Sequence, residues 1–151
     1  MVYMAAWYGE IKGSTIFKVF DISSYQNNPH PMLREFWMSL IELAQGCMVY
    51  FHNWAGYDIF LALAPLLSLA EHGFTFYPTV KNGKVICLKV RLGNTLRLTI
   101  KDSIKLLPGG LGKLAKDFGV EQQKEHFPHY LNPLRTSQED YQAITAKFPG
   151  D

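Results

Sequence analysis

Cysteine is scarce in this chain and long apolar runs are absent, and each scarcity closes a class of function. There are only two cysteines, Cys47 and Cys87, each inside an apolar, strand-like run. Two buried free thiols are expected, and neither a disulfide framework nor a zinc site is supported. The longest apolar candidate, Ile59 to Ala70, is short and holds Pro65. No membrane span, and no membrane partner, is expected from it. The first residues show no basic region followed by an apolar stretch, so no secretory signal is expected, and no Arg- and Ser-rich amphipathic leader is present. A Walker-type glycine loop and a G-x-S-x-G elbow are both missing, as are internal repeats and low-complexity tracts.

What is present describes one globular domain. The 151 residues are 48% hydrophobic and 14% aromatic, enough for a real core. Net charge is only +2, but it is unevenly spread. Residues 1–80 carry three basic and six acidic side chains, residues 81–117 nine and two, and residues 118–151 three and five. The central basic segment suits contact with a polyanion, or equally a solvated strand face rich in lysine.

Residues 2–8 and 15–20 read as two strands around a turn at Glu10–Ser14. Residues 32–45 read as a helix, with Leu33, Phe36, Trp37, Leu40, Ile41 and Ala44 on one stripe and Gly46 as its stop. "CMVYF" then has the continuous apolar character of a strand covered on both faces. Ile59–Ala70 is expected to be helical and disturbed by Pro65. Asn82-Gly83 is a hairpin-turn signal. Leu88, Val90 and Leu92 alternate with Lys89 and Arg91, and Leu96, Leu98 and Ile100 alternate with Arg97, Thr99 and Lys101. This predicts a three-stranded antiparallel meander over residues 74–101, with one apolar and one basic face. A short helix over Leu111–Phe118 and another at Gln138–Lys147 complete a mixed α/β (α+β) domain.

Three stretches could carry chemistry. "YFHNWAGYD", residues 50–58, leaves an apolar strand and spends His52, Asn53 and Asp58 on its exit. An Asp before a helix is favoured by the helix dipole and Asn suits a loop, so a purely structural role is adequate. Trp54 and Tyr57 interleave with these polar residues at a strand end, where ligands bind open α/β sheets and where aromatics can stack on nucleobases. In "DSIKLLPGGLGKLAKDFG", Asp102 and Ser103 either cap a turn or present a hydroxyl and backbone N–H groups to a phosphate. In "KEHFPH", Lys124, His126 and His129 could meet phosphate, while no Cys or His elsewhere completes a zinc set with the histidines.

In this order and spacing, the three stretches resemble the 3′–5′ exonuclease domain of family B DNA polymerases, most of all the protein-primed branch of phages and linear mitochondrial plasmids. "YFHNWAGYD" resembles the second exonuclease motif, "KDSIKLLP" the branch's D-S-L-x-x-L-P segment, "KEHF" its K-x-x-h element (h apolar), and "MVYMAAWY" the strand after the first motif. The resemblance covers most of the chain and implies an RNase H-like 3′–5′ exonuclease fold with a mixed sheet, flanking helices and the β-meander. It implies that Asp58 binds a catalytic Mg²⁺ or Mn²⁺ in a two-metal site. His52, Asn53 and Tyr57 would contact the 3′ end of single-stranded DNA, and Ser103 and Ile104 would form another DNA contact, with Ile replacing the usual Leu. Lys124 would assist at the scissile phosphate and Phe127 would help seat it. The basic meander would touch the DNA backbone. The intact polymerase would also engage a terminal protein. Location would be mitochondrial by likeness to plasmid polymerases, otherwise phage or cytoplasmic.

The departures from the family set limits. No D-x-E of the first motif stands near the start, and the third motif, Y-x-x-x-D, fails because Tyr141 is followed four residues later by Thr145 and Asp151 is too distant. The palm motifs D-x-x-S-L-Y-P and D-T-D are absent. The expectation is a single partial exonuclease domain over residues 1–151, from a DNA-directed DNA polymerase, inactive alone. An unpaired sheet neighbour would leave it marginally stable or prone to aggregate. Two other readings compete. One is a non-catalytic single-stranded nucleic-acid-binding module. The other is an unrelated RNase H-like nuclease drawing further ligands from Asp21, Asp102 or Glu125.

Overall fold

Lys12 and Gly13 both take left-handed backbone angles (φ 51° and 78°) and turn the chain between β1 (Met4–Ile11) and β2 (Ser14–Asp21). Such a pair matches the twist of a two-residue hairpin. The turn is tighter than Glu10–Ser14, and Gly9 lies inside β1. The computed structural model describes residue 2, residues 4–121 and residues 137, 139, 140 and 142. The stretch holding Lys124, Glu125, His126, Phe127 and His129, with most of the expected helix at Gln138–Lys147, lies outside the described residues.

Asn28 starts α1 (Pro29–Leu43), its side chain accepting from the His30 N–H at 3.0 Å. Pro29 fits the first turn because no helical partner awaits its nitrogen. The apolar stripe is buried as its spacing predicts, from Leu33 through Ile41. After Gly46 comes β3 (Cys47–Phe51). The expected cover on both of its faces does not hold. Met48 and Tyr50 are about half exposed, because α1 packs on the Phe51 face of β3 and no element among the described residues covers the other face. The thiols of Cys47 and Cys87 are free, as expected, but half-buried rather than buried.

The second helix, α2, spans Asp58–Leu67 and contains Pro65. The chain then tightens into a 3₁₀ turn over Ser68–His72, and Gly73 closes it at φ 85°. The three strands of the meander are as expected: β4 (Phe74–Lys81), β5 (Lys84–Leu92) and β6 (Thr95–Asp102), turning first at Asn82-Gly83. The expected alternation is broken at the start of β6, where a register shift sets Leu96 opposite Arg91 and leaves it exposed, while Thr99 is buried. A short α3 (Leu111–Asp117) follows.

These strands form two sheets. β3-β6-β5-β4 is a mixed sheet, with β3 parallel to β6 and the other pairs antiparallel. β1 and β2 form a separate antiparallel pair. α1 joins the two. Trp7 Nε1 donates to Ser39 Oγ at 2.8 Å, and Phe20 meets Phe36 edge to face. Below the mixed sheet, Trp37, Phe51 and Trp54 pack in one aromatic cluster, and Trp37 Nε1 donates to the Ala62 carbonyl at 2.9 Å. Trp37 therefore ties α1, α2 and β3 together through one side chain.

Truncating Trp37 empties the centre of this cluster. Trp37→Ala is expected to cost about 4 kcal/mol, a large fraction of the stability of an ordinary domain. Urea denaturation with a structural probe measures the loss.

Candidate functional site

Parallel strands bring their carboxyl ends to one place. β3 and β6 are in register with Phe51 opposite Asp102, so both strands stop together and their exits share a corner. In α/β sheets such corners receive ligands. Asp102 shapes this one. Its Oδ1 accepts from the N–H groups of Asn53 (2.9 Å) and Ile104 (3.1 Å), and its Oδ2 from Ala55 (3.0 Å). The residue is 5% exposed. Burial alone would raise its carboxyl above the ordinary value, but backbone donors at Ala55, Ile104, Asn53 and Trp54 outweigh it and hold the carboxyl below. The 50–58 loop is thus wrapped around an ionised carboxylate.

Within that loop Asn53 takes a left-handed conformation (φ 63°) that asparagine tolerates better than most residues. Its amide folds across Gly56, where a Cβ would lie 2.5 Å from Asn53 Oδ1. Gly56 is therefore needed for close approach. Trp54 is fully buried against Phe51 and Trp37. This corrects the expectation of a base-stacking role for Trp54. Its indole N–H has no partner among the described residues. Asn53 and Tyr57 are exposed, Tyr57 at 63%, and they flank Asp58 at the first position of α2.

Asp58 is half-buried. Desolvation pushes its carboxyl up, and the negative charge of Asp102 pushes it further in the same direction. It borders a hollow of about 230 Å³ with Val2, Met4, Ala5, Phe51 and Leu61. A carboxylate destabilised as an anion and open to a hollow is suited to meeting a cation. Asp102 offers little to a shared ion because its oxygens face backbone N–H groups. Asp21 accepts from the Ser23 N–H. Among the described residues no three acidic, His or Cys side chains gather into a metal set.

His52 and Ser103 form a second junction. His52 Nε2 lies 2.6 Å from the Gly109 carbonyl, which can only accept, so Nε2 carries a proton and donates. Nδ1 lies 3.1 Å from Ser103 Oγ, which can also donate to the Phe51 carbonyl at 3.1 Å. Both side chains thus clamp the exits of β3 and β6. The Ile104 N–H is held by Asp102. Of the residues expected at a DNA site, Asn53, Tyr57 and Asp58 form one accessible group. His52, Ser103 and Ile104 buttress it from behind.

The outer face of the mixed sheet carries the basic residues. Paired positions run across it as Tyr77, Lys89, Thr99 and Met48, and beside them Thr79, Cys87, Lys101 and Tyr50. Tyr50 and Tyr77 are about half exposed.

The model of one protein family, described as DNA polymerase type B, organellar and viral, matches residues 44–148. The chain belongs to this family. No curated protein matches its sequence. Among solved structures it is similar to Phi29 DNA polymerase complexed with primer-template DNA and incoming nucleotides. That match has TM-score 0.54 and 20% identity over 94% of this chain. It is equally similar to the Phi29 enzyme complexed with single-stranded DNA, with TM-score 0.54 and 19% identity over 97% of this chain. At these identities the likeness is one of fold. The chain spans 28% and 31% of the two Phi29 chains. The family match contains the whole corner from Phe51 to Ile104.

The clamp makes opposite predictions for its two carboxyl groups. Asp102, held low, contributes stability that is present above its ordinary value of 3.8 and lost as pH falls through the lower native value. Asp102→Ala leaves three part-buried N–H groups without their acceptor and is expected to cost about 2 kcal/mol at neutral pH, with a correspondingly weaker acid transition. Asp58, held high, works the other way. Its ionisation costs stability as pH rises through the raised native value, and below the unfolded value the cost vanishes. Asp58→Asn is expected to raise Tm by about 2 °C at pH 7 and to lose that advantage near pH 3. Thermal melts across pH check both.

Proposed function

We propose that the chain is the 3′–5′ exonuclease part of a protein-primed type B DNA polymerase. In this reading it binds the single-stranded 3′ end of DNA at the β3–α2 corner and does not hydrolyse DNA by itself. The observation that carries this is the grouping of half-buried Asp58 with exposed Asn53 and Tyr57 at the carboxyl end of β3. Tyr57 offers a stacking face, Asn53 an amide for sugar or phosphate, and Asp58 an anionic donor for Mg²⁺ or Mn²⁺. One accessible carboxylate does not make a two-metal site, and hydrolysis by that route needs further ligands. Those ligands, like the roles of Lys124 and Phe127, belong to segments outside the described residues or outside this sequence. Engagement of a terminal protein by the intact polymerase and a mitochondrial location are part of the same proposal, by the same resemblance.

A second reading, a single-stranded nucleic-acid-binding module without catalysis, draws on the outer sheet face, where Tyr50 and Tyr77 lie among Lys89 and Lys101. Position of binding separates the two. Fluorescence anisotropy with a labelled oligothymidylate is expected to show affinity that falls with salt. Tyr57→Ala should weaken it about tenfold, while Tyr77→Ala leaves it unchanged. The reverse pattern favours the sheet-face module. Mg²⁺-dependent shortening of the oligonucleotide that Asp58→Ala abolishes would show that the chain is active alone. No binding at low salt refutes both readings.

A further inference from the structure

Asn53 is held by its backbone and free at its side chain. Its N–H donates to Asp102 Oδ1 at 2.9 Å, and its carbonyl accepts from the Gly56 N–H at 3.0 Å. These two bonds bracket the tight turn over Trp54–Gly56 and fix the left-handed backbone of Asn53. The side chain makes no capping hydrogen bond, and the residue is exposed. Its amide therefore keeps two donors and an acceptor for a ligand. With the backbone fixed, the direction of the amide is decided by the surface it rests on.

That surface is Gly56. A Cβ at residue 56 would stand 2.5 Å from Asn53 Oδ1 and 3.0 Å from both Cγ and Nδ2. The whole amide group thus occupies the space that any other residue's side chain would fill. The three heavy atoms nearest to that space all belong to Asn53, so the missing Cβ admits nothing else as closely. Backbone conformation does not require the glycine either. Gly56 lacks the left-handed angles of Gly13 and Gly83, and an alanine there would keep the N–H bond to Asn53. Residue 56 adjoins Tyr57, so an amide resting on it is kept within the accessible group of Asn53, Tyr57 and Asp58.

We propose that Gly56 is a positioning residue for binding of the DNA 3′ end. Its lack of a side chain gives the Asn53 amide its place, and any side chain there moves the amide off the ligand. Gly56 acts through Asn53 and supplies no contact of its own. This role rests on the proposed DNA-end site and adds the residue that sets it. The atoms that a methyl group at 56 displaces are the end of an exposed, flexible side chain. The fold tolerates that change, and alanine also narrows the unfolded ensemble where the backbone suits it. Loss of binding without loss of stability is the signature.

The test is a double-mutant cycle on the full chain, read by anisotropy of a labelled oligothymidylate. Asn53→Ala is expected to weaken binding about fivefold, the worth of one hydrogen bond. Gly56→Ala is expected to weaken it by the same factor, with Tm no lower than that of the parent chain. In an Asn53→Ala background Gly56→Ala is expected to add nothing, while in a Tyr57→Ala background it keeps its full effect. Without DNA, Gly56→Ala is expected to shift the Asn53 side-chain NH₂ signals in a ¹⁵N NMR spectrum. Unmoved signals overturn the proposal. So does a fall in Tm that accompanies the loss of binding, because residue 56 then acts on the fold. A full effect in the Asn53→Ala background, or none in the Tyr57→Ala background, also overturns it. If Asn53→Ala weakens binding and Gly56→Ala does not, the positioning role fails and the proposed function stands. If the parent chain does not bind, or Asn53→Ala changes nothing, the DNA-end site fails and this role with it.

Discussion

Everything at the β3–α2 corner depends on the carboxylate of Asp102. A loop that leaves a sheet and turns at once into a helix has several backbone N–H groups with no ladder or helical partner. Asp102 takes those of Asn53 and Ala55 from across the sheet and that of Ile104 from its own turn. One buried anion thereby fixes the direction in which β3 exits, the left-handed bend at Asn53 and the start of α2. It also sets the charge that Asp58 feels. Structure and chemistry are coupled at this corner. The group that shapes the loop is the group that makes a second anion beside it less comfortable, and so more receptive to a cation.

Much of the fold was legible because it rests on local signals. The stripe on α1, the Asn82-Gly83 turn and the alternation that buries Leu88, Val90, Leu98 and Ile100 each specify their element without distant help, and these stand in the structure. Leu96 falls out of step because β6 shifts register against β5 there, which no local pattern signals. The flanks of β3 were not legible. "CMVYF" is apolar throughout, and a short apolar run cannot reveal whether one face or both are covered. Only the tertiary packing, with α1 against the Phe51 face and no described element on the other, decides that Met48 and Tyr50 are open. Trp54 shows the same limit at the site. Its place between Asn53 and Tyr57 suggested a stacking surface, but the loop turns its ring inward onto Phe51 and Trp37. The Asp102 clamp was half visible, since Asp before Ser marks a cap. Its bonds to residues some fifty positions earlier arise only when β3 and β6 lie parallel in register.

The cohesion of the two sheets follows from the same topology. The β1–β2 hairpin shares no ladder hydrogen bond with the mixed sheet among the described residues. It is held by side chains on α1: the Trp7 indole on Ser39, and Phe20 against Phe36. Such contacts are worth a few kcal/mol together, without the cooperativity of a ladder. An isolated two-stranded hairpin is marginal in water, so α1 supplies most of what keeps β1 folded. The hairpin is then the element expected to open first, ahead of the mixed sheet. Because β1 borders the hollow at Asp58, loosening the hairpin and loosening the site are one event.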